Sequence, residues 1–220
     1  MVHGGGGGPR LDAARPPGAG WRPAPGRIQQ DIRTMPRLAA TLAAIDAAND
    51  ADPDRSEGAP AARLYGERMT AELERLHPDA SEELRIAARG QHVERWTSPR
   101  AAYPEGREGY LAWRRDLGAF HARRVGEIMA AHGYGEDSIA RVGRMLRKEG
   151  IKRDPEVQAL EDVICFTFLR WYFLPFAEGR SAEELDRIVG RTARKMSAPA
   201  RARALAEFDL PPALARHFGA

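Results

Sequence analysis

The stretch Asp154-Pro155-Glu156-Val157-Gln158-Ala159-Leu160-Glu161-Asp162-Val163-Ile164-Cys165-Phe166-Thr167-Phe168-Leu169-Arg170-Trp171-Tyr172-Phe173-Leu174-Pro175-Phe176 decides how the rest of this chain is read. Its start is a helix start, because Pro155 occupies the first turn, where a missing N–H costs least. From Val163 to Phe176 it is apolar on nearly every face, interrupted by Thr167, Arg170 and Pro175. A helix that is apolar all round has to be sheathed by other elements. It is too short and too interrupted to cross a bilayer.

On either side of it the punctuation is helical. Leu38, Leu42 and Ile45 form a short helix that gives way between Asn49 and Asp54. Leu64, Met69, Leu73 and Leu76 mark a second, ending at His77-Pro78. Asp79 with Glu82 resembles a capping box for a third, which carries Leu84, Ala88, Gln91 and His92 towards Trp96. The longest helix bears Tyr110, Trp113, Leu117, His121, Val125 and Ile128 and stops at Gly133. Asp137 or Ser138 caps a fifth, which closes at Gly150. Beyond the central helix come weaker amphipathic helices around Leu185 to Val189 and Leu205 to Phe208, then a last turn at Leu214. No alternating strand pattern appears. The expectation is all-α: seven or eight helices in a single domain, residues 36 to 220, around the buried helix.

Residues 1 to 34 stand apart. Gly4 to Gly8, Pro16-Pro17 and Trp21-Arg22-Pro23-Ala24-Pro25 come with almost no branched aliphatics, a composition expected to stay disordered. Met35-Pro36-Arg37-Leu38 directly precedes the first periodic segment, so Met35 is the expected native start. This tail holds the whole charge surplus of three, Arg10, Arg15, Arg22, Arg27 and Arg33 against Asp12 and Asp31. The helical part is balanced, which argues against a nucleic-acid footprint. One cysteine, Cys165, permits no intramolecular disulfide and fits a reducing, cytoplasmic setting; no membrane span or secretory core is visible.

Three groups of residues could carry chemistry. On a continuing third helix, Arg89 and His92 would share a face with Trp96, placing a guanidinium, an imidazole and an indole together beside Gln91. His121 lies on an apolar stripe with Leu117, Val125 and Ile128, so its ring should point inwards. Glu161 and Asp162 sit two turns into the buried helix, where an unpaired carboxylate is costly; their partners would be a metal, Arg89, His92 or His121. Each group also has a plain structural explanation, as a helix end, a core histidine or a cross-link between helices. Cys165, flanked by Ile164 and Phe166, reads as a packed small hydrophobe.

The segments Ala44-Ile45-Asp46-Ala47-Ala48-Asn49, Tyr65-Gly66-Glu67-Arg68-Met69, Ala87-Ala88-Arg89-Gly90-Gln91-His92-Val93-Glu94-Arg95-Trp96, Tyr110-Leu111-Ala112-Trp113-Arg114, Phe120-His121-Ala122 and Gln158 to Val163 resemble the uncharacterised domain-of-unknown-function family 4202, over residues 36 to 217. That family implies no activity. Helix order and histidine placement also resemble, more distantly, the HD-domain phosphohydrolase superfamily, an all-α fold that binds divalent metals and cleaves phosphate esters of nucleotides. This second resemblance implies His92, His121 and Asp162 as metal ligands, with manganese, iron or magnesium as the metal. Two positions depart from it: Val93 stands where the doublet's Asp is expected, and Tyr65 where a first His is expected.

The leading expectation is therefore an HD-like hydrolase of a phosphorylated small molecule or nucleotide. His92, His121, Asp162 and Glu161 would be catalytic, and Arg89, Gln91, Trp96 and Lys148 would bind ligand. The alternative is a non-enzymatic, degenerate HD-like scaffold that binds a small anionic ligand or a protein partner. Neither nucleic acid nor membrane is expected as a partner.

Overall fold

A computed structural model describes residues 36–219, all as helix, turn and loop, without a strand among them. The expectations for residues 1 to 34, and for Met35 as a start, lie outside the described residues. Ten α-helices follow in order among the described residues: α1 Arg37–Asn49, α2 Ala61–Leu76, α3 Glu82–Arg89, α4 Gly106–Ala131, α5 Glu136–Leu146, α6 Pro155–Thr167, α7 Phe173–Ala177, α8 Ala182–Lys195, α9 Ala198–Glu207 and α10 Pro212–Ala215. A π-helical segment, Phe168–Tyr172, joins α6 to α7.

The start of α6 follows its sequence. Asp154 accepts hydrogen bonds from the backbone N–H groups of Glu156 and Val157, and Pro155 fills the first turn. Val157, Leu160 and Val163 then enter a core shared with Ile45, Met69, Leu73, Ile86 and Val125 from the first four helices. Phe166, Leu169 and Phe173 enter a second core with Val189 and Ala193 of α8, Met196 of the link after it and Ala204 of α9. The central helix thus ties two hydrophobic clusters together. Burial of its large side chains contributes about 1.5–3 kcal/mol each. Its far end is not sheathed as the apolar run suggests: Trp171 is 41% exposed and Leu174 is 75% exposed.

Three local expectations need correction. Ser81, not Asp79, caps α3, accepting from the Leu84 N–H. Gly135 rather than Asp137 or Ser138 precedes α5. Most consequentially, α3 ends at Arg89 and does not continue towards Trp96. Gly90 lies where a Cβ would come within 2.5 Å of Val125 Cγ2, so the absent side chain lets the end of α3 press against α4. The chain then turns through Glu94, at φ 46°, into a short 3₁₀ turn at Arg95–Thr97. Asn49 at the end of α1 holds this turn by accepting from the Glu94 N–H at 2.9 Å, and Arg124 clasps the Glu94 carboxylate at 2.8 and 3.1 Å.

Candidate functional site

The turn after α3 swings Gln91, His92, Arg95 and Trp96 away from Arg89 and into the wall of a cavity of about 1150 Å³. The loop after α1, the start of α2, the start of α4, Lys148 beyond α5, the helix from α6 to α7, and α8 complete its walls. Its lining combines rings from Tyr65, Trp96, Tyr110, Trp113 and Tyr172 with the basic side chains of Arg95, Arg114, Arg191 and Lys195.

Arg89 is elsewhere. Its guanidinium makes a two-pronged bond to Asp46, 2.6 Å on each prong, and a third to Thr70 Oγ1 at 3.2 Å. That is a cross-brace between α1, α2 and α3, so the expected row of Arg89, His92 and Trp96 on one helix face does not form.

The carboxylate pair on α6 splits to two sides. Asp162 accepts from the Ser197 N–H at 2.8 Å, the Ser197 hydroxyl at 2.6 Å and the Gln158 amide at 2.9 Å. Ser197 in turn caps α9, so Asp162 clamps α9 onto α6. Glu161 is 1% exposed and faces the cavity, with Lys148 Nζ at 2.6 Å and Lys195 Nζ at 3.6 Å. The protein partners of both carboxylates are thus lysine, serine and glutamine rather than Arg89 or a histidine. Burial pulls the Glu161 carboxyl upward, but the charges of Lys148 and Lys195 outweigh it and hold it below its usual range. Burial pushes Lys148 down against the attraction of Glu161.

His92 stacks on Tyr65 at 3.6 Å between ring centroids, only 16° from parallel, and His121 lies 6.2 Å beyond. Burial, with the nearby Arg95 charge, pushes His92 well below its ordinary value and pushes His121 down to about 3. Both imidazoles are neutral at pH 7. Tyr65, which replaces the histidine that the HD resemblance implies, is therefore a ring partner of His92. Among the described residues, no three of His, Cys, Asp and Glu gather where they could share a metal ion. With Asp162 held by Ser197 and Gln158, the set His92, His121 and Asp162 does not fit a divalent metal.

The cations of the wall differ in how they are held. Arg100 donates to the carbonyls of Tyr103 and Pro104. Arg95 lies over the Trp113 ring, 5.1 Å from its centroid, and burial followed by the Arg114 charge pushes it down. No carboxylate pairs with Arg95, Arg114 or Arg191 among the described residues. The acidic side chains of the rim are already engaged: Asp52 accepts from the N–H groups of Ala62 and Asp54, and Glu57 is bonded to Arg68. Cys165 also reaches the wall, but burial pushes its thiol up, which makes it inert.

Residues 39–216 match the family described as Domain of unknown function (DUF4202). The chain belongs to the DUF4202 family. No curated protein and no solved structure matches it.

Of the residues expected at a site in this DUF4202 chain, Gln91, His92, Trp96, Lys148 and Glu161 line the large cavity. His121 lines a smaller one beside it, while Arg89 and Asp162 line neither. Arg95, Arg114, Arg191 and Lys195 were not singled out by the sequence. One signal for Lys195 was available: the chain has only three lysines, Lys148, Lys152 and Lys195, among 34 basic residues. Two of the three converge on Glu161. Lys148 is also, among the described residues, one of three non-glycine residues at positive φ, 59°, a conformation that surrounding structure has to impose.

Proposed function

We propose that the large cavity of this DUF4202 chain binds a phosphorylated small molecule of nucleotide size, and that the protein holds no metal to do so. The observation that carries this reading is the convergence of Arg95, Arg114 and Arg191, without carboxylate partners, on one cavity walled by aromatic rings. Guanidinium groups present donors in a fork that matches phosphate oxygens, and the partly buried Arg95 sits over the Trp113 ring in the drier part of the wall. Trp96 and Tyr110 line the same space, where a planar ring can stack. Titration calorimetry with nucleoside monophosphates, diphosphates and triphosphates tests it. Binding should weaken as salt rises, and Arg95→Ala or Arg114→Ala should each reduce affinity about tenfold, the loss of one charge-assisted contact. Equal affinity for a nucleoside and its phosphates would overturn the reading.

A hydrolase on an HD-like scaffold is the second reading, favoured by the neutral state of His92 on the cavity wall. Held neutral by burial, this imidazole is a weak base on its own, and a phosphate dianion bound beside it would raise its proton affinity enough to take a proton from a water that attacks phosphorus. Phosphate release that persists in a chelator and disappears in His92→Ala distinguishes an enzyme from a binding protein.

A further inference from the structure

The second cavity, about 340 Å³, is lined by His121, Leu117 and Gly118 of α4 and by Leu146, Arg147 and Glu149 at the end of α5. Gln91, His92, Arg114 and Lys148 line it and the large cavity alike, so the two spaces meet along one shared edge. Two polar atoms of residues in its wall, Gln91 Oε1 and His121 Nε2, lie just behind the surface of the cavity and have no hydrogen-bond partner among the described residues, so a small turn of either side chain would bring them to it. Their residues are 7% and 2% exposed. Buried polar atoms in folded proteins are nearly always satisfied, and each one left alone costs about 1–3 kcal/mol. Such a pair in the wall of a cavity marks a place where another molecule supplies the partners.

The chemistry of the pair selects the class of group. Gln91 Oε1 can only accept a hydrogen bond, so its partner must carry O–H or N–H. A fully ionised phosphate offers neither. The basic residues peculiar to this cavity are also engaged already, Arg147 with Glu149 and Arg115 with Asp116. The last turn of α5 ends here, and the C-terminal end of a helix disfavours an anion. Hydroxyl groups meet every condition: one donates to Gln91 Oε1, and another donates to or accepts from the neutral His121 ring. The volume suits a sugar-sized fragment at the low end of ligand pockets.

We propose that the smaller cavity is the subsite for a hydroxylated, sugar-like or polyol portion of the ligand, whose phosphate lies at the shared edge near Arg114. The inference rests on the phosphate reading of the large cavity and narrows its ligands to phosphorylated sugars and polyols, nucleotides included.

The test compares ribose 5-phosphate with inorganic phosphate on the full chain by calorimetry, with AMP as a control for the large cavity. Ribose 5-phosphate should bind at least about tenfold more tightly than phosphate, because a site built for hydroxyl groups rejects ligands that lack them. Gln91→Leu should erase that difference. The ring ¹⁵N signals of His121 in the wild-type protein should move with ribose 5-phosphate and stay still with phosphate, a readout that needs no variant to fold. AMP binding together with equal affinities for the two smaller probes and unmoved His121 signals would overturn the subsite and leave the large cavity's reading standing. Failure of AMP and of both smaller probes to bind would overturn both.

Discussion

Asp162 and Gln91 are both buried polar side chains, and their hydrogen bonding is opposite. Asp162 has three donors from Ser197 and Gln158, and through them fixes α9 against α6. Gln91 Oε1, in the wall shared by two cavities, has none. The same division separates Arg89, braced by Asp46 and Thr70, from Arg95 and Arg114, which meet no carboxylate among the described residues. Asp162 and Arg89, which hold helices together, are satisfied by their neighbours, whereas Gln91, Arg95 and Arg114 at the cavities are left with capacity for something else.

Asp162→Ala is the severest way to break this contrast. It should cost about 3 kcal/mol of stability in urea denaturation, because it strands the donors of Ser197 and Gln158 in the interior. Ligand affinity of the remaining folded protein should be unchanged; a stable variant that loses binding would place Asp162 on the wrong side of the comparison.

Acid tests the cavity side. An unfolded histidine titrates near 6.5, while folded His121 is pushed down to about 3 and His92 well below its ordinary value. Between those values the unfolded chain binds more protons than the folded one, so the stability contributed by the two neutral rings is complete above about pH 6.5. It is lost as pH falls, by up to about 1.4 kcal/mol per pH unit for each ring. Thermal melts from pH 7 to pH 5 should show this slope, and His121→Gln should flatten it; parallel curves would count against a buried neutral His121.

The smallest effect is the most diagnostic. Gln91→Leu replaces an unsatisfied buried amide by an apolar group, so it should leave the ligand-free protein as stable or more stable by about 1 kcal/mol. A marked loss of stability would show Gln91 to be another clamp.

The helices were legible because their determinants are local: Pro155 after Asp154, apolar residues at spacings of three and four, and a glycine at positive φ after α4. What misled the reading around Arg89 was not local. At Gly90, where α3 ends, Val125, thirty-five positions along the chain, packs into the space a side chain would fill. Periodicity carries no term for such an approach, so His92 and Trp96 were placed on a helix face that does not exist. Glu161 and Asp162 were rightly seen to need partners, but adjacent positions on a helix point about 100° apart. Their partners therefore come from different elements, Lys148 beyond α5 and Ser197 before α9. The unpaired arginines could not be read at all, because being unpaired is a property of the folded neighbourhood.

The π-helical segment Phe168–Tyr172 has a consequence for the shape of the cavity. Glu161, Cys165, Phe168, Tyr172 and Phe176 all line it, and they recur at a mean spacing slightly wider than the 3.6 residues of an α-helical turn. A regular α-helix would let that row spiral gradually off the wall. The wider turn absorbs the mismatch in one place and keeps the row as a straight seam. The helix works like a screw whose thread is loosened for a single turn. Removing one residue between Phe168 and Tyr172 would let that turn close as ordinary α-helix, shortening the seam while Phe176 stays nearly in line with Glu161.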